Sequence, residues 1–265
     1  MRSIAIMNNK GGVGKTVTAI NLADILVRDY HQRVVLVDCD GQMNLTRFYL
    51  PEFDHEVNAT VADVLTGECE PVWSDNLCEI MPGLRLLPGL RLLPGSSALY
   101  DLDLRAIRDG LGNVYALKHF CESAAEDDEV DYMIFDCPPG YTLASVSALL
   151  ASDEAVIPML VDGFSFGGMM DMRAQLESLQ MAGPRIAGVL VTQWHNSEVV
   201  RQGEQLVREM EVPVFQTTIR RTDKVPESTF QREPIVYYSP GSAAAQDYRA
   251  WVREYLGGHC DGEGV

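Results

Sequence analysis

Ile4-Ala5-Ile6-Met7-Asn8-Asn9-Lys10-Gly11-Gly12-Val13-Gly14-Lys15-Thr16 lies at the start of the chain, and its reading decides the fold. The first four residues form a short apolar run suited to a strand buried on both faces. Glycines follow at 11, 12 and 14, and over residues 15–29 the apolar Ile20, Ala23 and Val27 recur at helical spacing. Gly11, Gly12 and Gly14 let backbone N–H groups around Val13 converge on phosphate oxygens without Cβ clashes. A helix beginning near Lys15 adds its positive dipole end. Lys15 can then reach the terminal phosphates of a bound nucleotide, and the Thr16 hydroxyl can take a coordination position on Mg²⁺. The common form of such a loop, G-x-x-x-x-G-K-[ST], needs a glycine where this chain has Asn9. Lys10 is an addition to that form, and only four lysines occur in the chain (Lys10, Lys15, Lys118, Lys224).

Working outward, residues 33–38 make a second β-branched strand, so a β-α-β unit closes within the first 40 residues. The pattern recurs. Residues 132–136 read as a strand ending in Asp136, with Cys137-Pro138-Pro139-Gly140 as the breaker. Residues 155–158 and 186–191 read as further strands, and 166–181, 197–210 and 242–256 as helices. Strands alternating with helices predict an α/β fold, a doubly wound and mainly parallel sheet with helices on both faces. No linker interrupts the pattern, so residues 1–256 are expected to form a single domain, with 257–265 a disordered glycine- and acid-rich tail. Gly83-Leu84-Arg85-Leu86-Leu87-Pro88 is repeated at once over residues 89–94. Two copies of six residues are too short for a solenoid, and a local duplication that lengthens one strand-turn segment is the expected reading.

Composition narrows the function classes. The 265 residues carry 21 Lys plus Arg against 38 Asp plus Glu, a formal charge of −17, which argues against a broad, constitutively basic surface for nucleic acid. Between residues 196 and 255, however, eight basic residues nearly balance nine acidic ones, so an anionic partner would meet the C-terminal third. With 46% hydrophobic and 22% charged residues the chain reads as globular. No apolar run has the length of a membrane span, and the N-terminus lacks the features of a secretory signal. Six cysteines without a C-x-x-C pair fit neither a disulfide framework nor a metal cluster. A cytoplasmic location is expected.

Lys10, in K-G-G-x-G-K-T, is where the chain resembles the ParA/MinD family of deviant Walker A ATPases. The resemblance extends over nearly the whole chain. Val34 to Gln42 is similar to the family's strand ending in D-x-D-P-Q, and Ile134 to Pro139 to its Walker B segment. Val189-Leu190-Val191-Thr192 and the stretch from Ile219 to Ile235 match ParA-type C-terminal halves. The resemblance implies ATP and Mg²⁺ as cofactors, with Lys10, Gly11, Gly12, Val13, Gly14, Lys15, Thr16 and Val17 around the phosphates. It implies that Lys10 crosses an ATP-bound homodimer to the partner's phosphates, so that dimerisation follows ATP rather than ADP. Asp40 would position or activate the attacking water, and Thr16, Asp40 and Asp136 would serve the metal. Asp38 would stand beside them; it and Asp40 also admit a plainer reading as strand-end acids capping a helix. Thr192, Gln193, Ile219 and Arg220 are the candidates for holding adenine, unless they merely cap strands. Gly41 replaces the family's usual proline and Met43 its usual small residue, which puts the rate of hydrolysis in question rather than the reaction.

Three partner surfaces separate the members of such a family. ParA-type proteins bind DNA without sequence preference, and here Arg220, Arg221, Lys224, Arg232 and Arg249 are the candidate contacts, Arg221 aligning best. A ParB-like protein or another adaptor would stimulate hydrolysis, and the protein would be associated with the nucleoid. Nothing before Ile4 encodes a helix-turn-helix, so autorepression of an operon is not expected. MinD-type relatives use a basic amphipathic C-terminal helix on membranes. The closing helix here carries Tyr248, Trp251, Val252, Tyr255 and Leu256, but its acidic tail would be repelled by anionic lipid, and packing on the sheet is the expected role of these residues. A metabolic or redox enzyme on the same fold is the third alternative; Cys39 and Cys137 lie beside Asp40 and Asp136 but lack cluster spacing. The expectation is therefore an ATP-dependent positioning switch of ParA type.

Overall fold

The computed structural model describes residues 1–54, 59–69, 77–79, 89–109, 112–126, 129–162 and 183–260. Seven strands form one sheet: β1 (Arg2–Ile6), β2 (Val34–Asp38), β3 (Cys78–Glu79), β4 (Leu90–Leu93), β5 (Tyr132–Asp136), β6 (Glu154–Leu160) and β7 (Arg185–Thr192). Their order across the sheet is β3-β4-β2-β5-β1-β6-β7. All neighbours run parallel except the short edge strand β3, which pairs antiparallel with β4. The helices are α1 (Lys15–Tyr30), α2 (Asn44–Tyr49), α3 (Val61–Thr66), α4 (Ala98–Asp109), α5 (Ala116–Glu126), α6 (Leu143–Ala151), α7 (Glu198–Arg208), α8 (Lys224–Gln231), α9 (Ile235–Tyr238) and α10 (Ala243–Cys260).

Period-two alternation divides each central strand between two cores. Ala5, Met133 and Phe135 point into a cluster with α3, α5 and α6 (Leu65, Phe120, Leu149). Ile4, Ile6 and Ile134 point into the opposite one with α1 and α10 (Leu22, Trp251, Tyr255). Both faces of the sheet are thus covered, as a parallel sheet requires. A further segment follows β7 as a broken edge: Phe215 N–H donates to Val189 O (3.0 Å), and Ile219 N–H donates to Val191 O (2.8 Å).

The doubly wound α/β fold is the one the alternation predicts, with small shifts in element ends. The second hexapeptide copy holds β4, entered through Gly89 at φ 98°, a left-handed turn that only glycine makes freely. The first copy and the helix expected over 166–181 lie outside the described residues. One boundary needs correction: the closing helix does not stop at Leu256 but continues through Gly257 and Gly258 to Cys260. Each glycine costs such a helix only about 1 kcal/mol relative to alanine, which the fully buried Trp251 and Val252 face offsets one turn earlier. Those same residues, with Tyr248 and Tyr255, are buried on the sheet. They leave the closing helix no exposed aromatic face for lipid, and no described helix is long and apolar enough to cross a membrane.

Candidate nucleotide site

The glycine loop leaves the carboxyl end of β1, between β5 and β6, where doubly wound sheets bind their ligands. Gly12 (φ 74°) and Gly14 (φ 89°) adopt left-handed backbone, and a Cβ on either would meet no neighbouring atom, so conformation and not space demands glycine there. Gly14 caps α1 with no side chain of its own, leaving the helix's first N–H groups open to an anion. Lys15 is buried, and its ammonium donates to Asn8 O (3.0 Å) and Lys10 O (2.9 Å), closing the loop on itself. Burial draws its pKa down, and the nearby charge of Asp136 opposes that. Asn8 in turn ties the loop to β6 through Nδ2 to Pro158 O (2.8 Å). Lys10 is partly exposed and forms an ion pair with Asp162, a partner 152 positions away that sequence reading did not name.

Three carboxylates meet at the strand ends. Asp38 and Asp136 are register partners on β2 and β5, both fully buried. Asp38 Oδ2 accepts from Thr46 N–H (2.8 Å) and Thr46 Oγ1 (2.6 Å), and Oδ1 accepts from Asp40 N–H (3.2 Å). Burial still pushes its pKa up to about 6 against those bonds. In this structure the carboxylate holds the first turn of α2. Asp40 is half-buried on a turn, its Oδ1 accepting from Gln42 N–H (2.9 Å).

Asp136 is different. Neither carboxylate oxygen has a hydrogen-bond partner among the described residues, although both are buried. Burial and the charge of Asp38 push its pKa well up, while the Thr16 hydroxyl and the Lys15 ammonium nearby favour the ionised form. An orphaned buried carboxylate beside a hydroxyl and a lysine fits a hydrated Mg²⁺ held by Asp136 and Thr16 with phosphate oxygens. Magnesium characteristically takes one or two carboxylates and leaves the rest to water and phosphate. No group of three His, Cys, Asp or Glu that could cage a metal occurs among the described residues. Cys39 and Cys137 are buried free thiols whose pKa values burial pushes up, so they are poor candidates for reactive or cluster-bearing sulfurs.

These groups open onto a cleft of about 530 Å³, within the range of small-molecule sites. Gly11, Gly12, Gly14, Lys15, Thr16, Val17 and Asp40 line one end of it. Val13 does not, its side chain being buried in the core. Ile219, Val225, Pro226 and Tyr248 give the cleft an apolar part. Thr192 and Gln193 line it too, but their side chains are engaged with the loop. Thr192 Oγ1 donates to Val13 O (2.8 Å) and Gln193 Nε2 to Gly12 O (2.8 Å), so both brace the glycine turn. Val225, Pro226 and Tyr248 went unnamed as cleft residues in the sequence, where α8 carries no motif and Tyr248 reads as core.

The candidate basic residues divide in two. Arg220 is clamped to Asp247 through Nε (2.8 Å) and Nη2 (2.7 Å), Lys224 pairs with Glu227 (2.6 Å), and Arg249 bonds Asp29 (2.9 Å) and Val236 O (3.2 Å). Arg221 and Arg232 are exposed, and neither makes an ion pair among the described residues. Arg220 and Arg221 also line the cleft.

Strand, left-handed glycine loop, helix-borne lysine and a waiting carboxylate on the adjacent strand define a P-loop nucleotide-binding protein. A family model described as an AAA domain matches residues 1–186. The chain is 29% identical over 267 positions to chromosome partitioning protein ParA of Caulobacter vibrioides, covering 97% of this chain and 94% of that one. It is 30% identical over 262 positions to chromosome-partitioning ATPase Soj of Thermus thermophilus, covering 97% and 96%. Two solved structures holding nucleotide share the fold. They are septum site-determining protein MinD of Pyrococcus horikoshii with Mg-ADP (TM-score 0.72, 26% identity, 97% of this chain and 98% of that one) and cobyrinic acid a,c-diamide synthase of Mycobacterium smegmatis with ADP and magnesium (TM-score 0.76, 26% identity, 99% and 97%). The chain belongs to the ParA/MinD family of P-loop ATPases.

Proposed function

We propose that this chain is an ATP-dependent dimerising switch of ParA type, with ATP and Mg²⁺ as its cofactors. In the ATP state the homodimer binds DNA without sequence preference. A ParB-like or other adaptor protein stimulates hydrolysis and release, so that DNA or another cargo is segregated or positioned in the cytoplasm along the nucleoid. The observation that carries the nucleotide reading is the unpartnered Asp136 carboxylate beside Thr16 beneath the glycine loop.

Each residue's part follows from its surroundings. Lys15, already aimed at loop carbonyls, exchanges them for β- and γ-phosphate oxygens. Thr16 and Asp136 hold Mg²⁺, which neutralises charge on the phosphates. Asp40 stands at the cleft wall to orient the attacking water. Lys10 is partly exposed, unlike Lys15, and leaves Asp162 to reach across a second copy's phosphates. Ile219 with Val225 and Pro226 offers an apolar surface to the base, with Arg220, Thr192 and Gln193 at its edge. For DNA, Arg221 and Arg232 carry charge available to phosphates, whereas Arg220, Lys224 and Arg249 must first leave their acidic partners.

The test is fluorescence anisotropy of random-sequence duplex DNA with ATP, ADP or no nucleotide at two salt concentrations. Binding is expected with ATP alone, with a log–log salt slope of about −0.9 per phosphate contact. Arg221→Ala is expected to weaken it, and Asp40→Ala to retain it while turnover stops. Absence of binding by a verified Asp40→Ala dimer would overturn the DNA reading. A metabolic-enzyme reading has the likeness to the synthase structure behind it. It predicts nucleotide binding with no DNA binding under any condition.

A further inference from the structure

Gly41 sits in the turn that carries Asp40 and is approached closely by a ring from outside that turn. Its φ is not left-handed, so the backbone there suits any residue. What a side chain there would meet is Tyr100 on α4: a Cβ on Gly41 would lie 2.9 Å from both Cε2 and Cζ of the ring and 3.2 Å from Cδ2, so the outer end of the exposed ring would have to swing aside. Ordinary contact begins at 3.4 Å. Gly41 is buried, while Tyr100 is 52% exposed, so the ring lies over the turn as a cover. The turn is otherwise held by Asp40's own bonds, Oδ1 accepting from Gln42 N–H (2.9 Å) and O from Met43 N–H (2.8 Å). Met43 completes it in a left-handed conformation (φ 57°), which a non-glycine residue adopts only under constraint. Asp40 is near enough for its charge to act on the Tyr100 phenol.

We propose that Tyr100 is a positioning residue for hydrolysis, its ring seated on Gly41 so as to fix the turn that presents Asp40 to the cleft. The inference rests on the reading of Asp40 given above. A larger residue at position 41 would push the ring off the turn, and with it the cover over Asp40. The contact is made by ring carbons, and the hydroxyl makes no hydrogen bond among the described residues, so phenylalanine should serve equally well.

The experiment compares the wild type with Tyr100→Ala, Tyr100→Phe, Gly41→Ala and the Gly41→Ala/Tyr100→Ala double variant. Three quantities are read: kcat and KM for ATP, affinity for a fluorescent ATP analogue, and amide exchange at Gln42 and Met43. A displacement of about 1 Å at a reacting group costs up to roughly a hundredfold in rate, so Tyr100→Ala is expected to lower kcat by about ten- to a hundredfold. Nucleotide affinity and KM should stay within about twofold, a split that a loss of fold would not give. Exchange at Gln42 and Met43 should accelerate, and Tyr100→Phe should match the wild type. Gly41→Ala should be slow alone, and the double variant no slower than Tyr100→Ala, because the two changes act on one contact. Unchanged kcat and exchange in Tyr100→Ala, a phenylalanine variant as slow as alanine, or additive losses would each overturn the proposal. If the wild type hydrolysed no ATP, the reading of the site would fall, and the exchange data would still decide whether the ring holds the turn.

Discussion

Asp136→Asn should make the nucleotide-free protein more stable and the nucleotide-bound protein less so. The wild-type carboxylate is fully buried, register-paired with Asp38 and without a hydrogen bond at either oxygen. A buried, unsatisfied charged group costs more than the ~1–3 kcal/mol of a neutral one. Asparagine removes the charge and its repulsion from Asp38, but its amide is left equally short of partners, so the net gain should be about 1–3 kcal/mol. For a chain of this size each kcal/mol moves the melting temperature by roughly 2–4 °C. Without nucleotide at pH 8 the variant should therefore melt about 2–12 °C higher. With Mg²⁺ and nucleotide at about a hundred times Kd, the wild type gains ~2.7 kcal/mol and the order closes or reverses. The assay is thermal unfolding in EDTA, in Mg²⁺, and in each with nucleotide. If Asp136→Asn melted lower than the wild type in EDTA, or if Mg²⁺ enhanced its nucleotide-linked stabilisation as fully as in the wild type, the reasoning would fail.

Three further outcomes are expected. Thr192→Val keeps the shape but strips the hydroxyl from Val13 O and Met159 O, so urea unfolding should show a loss of about 1–3 kcal/mol, and titration calorimetry weaker nucleotide binding. Trp251 is fully buried with its indole N–H unbonded, so Trp251→Ala should cost about 3–5 kcal/mol, whereas Trp251→Phe, which forfeits no hydrogen bond, should cost clearly less by the same denaturation. Asp131 accepts from Arg33 at its backbone N–H (2.7 Å), Nε (3.0 Å) and Nη2 (2.8 Å), which hold its pKa below the usual carboxylate value. A depressed folded-state pKa stabilises above the unfolded value and fades as pH falls through the folded one. Asp131→Asn should thus cost about 1 kcal/mol at pH 7, solvent screening included, with the difference disappearing under strongly acid conditions.

Much of the fold was legible because its signals are local. Gly12 and Gly14 announce a left-handed loop, the run from Tyr132 to Asp136 matches β5 end to end, and the β-branched stretch before Asp38 could only be a buried strand. The site's reagents were legible for the same reason: lysine, threonine and acids at strand ends stand within motifs. Their neighbours were not. Asp162 finds Lys10, and Thr192 finds Val13, only through sheet order, which no short window of sequence encodes. Thr192 and Gln193 were found by position, yet their bonds to loop carbonyls were not, since a hydroxyl or amide facing a cleft looks alike from sequence whether it grips a ligand or the loop. Arg220, Lys224 and Arg249 looked like a basic patch in sequence because Asp247 and Asp29, which neutralise two of them, are distant along the chain. The helix over Gly257 and Gly258 ran on for a complementary reason: composition read as a tail, while packing one turn earlier carried the helix past it.

The placement of β1 inside the sheet, between β5 and β6, has a consequence for synthesis. Its two neighbours are β5 and β6: Arg2 lies beside Tyr132, and Ser3 N–H bonds Asp153 Oδ2 from 150 residues away. The first strand and the glycine loop thus leave the ribosome with no edge to join, and at ~5–20 residues per second they wait on the order of ten seconds for β5. Tyr248, which lines the cleft and touches Thr18 of α1 through its hydroxyl (3.3 Å), follows later still, on α10. The glycine loop is therefore made well before the strands that flank it and the helix that closes its cleft, and a nascent chain arrested before α10 emerges carries the whole glycine loop without a finished pocket around it.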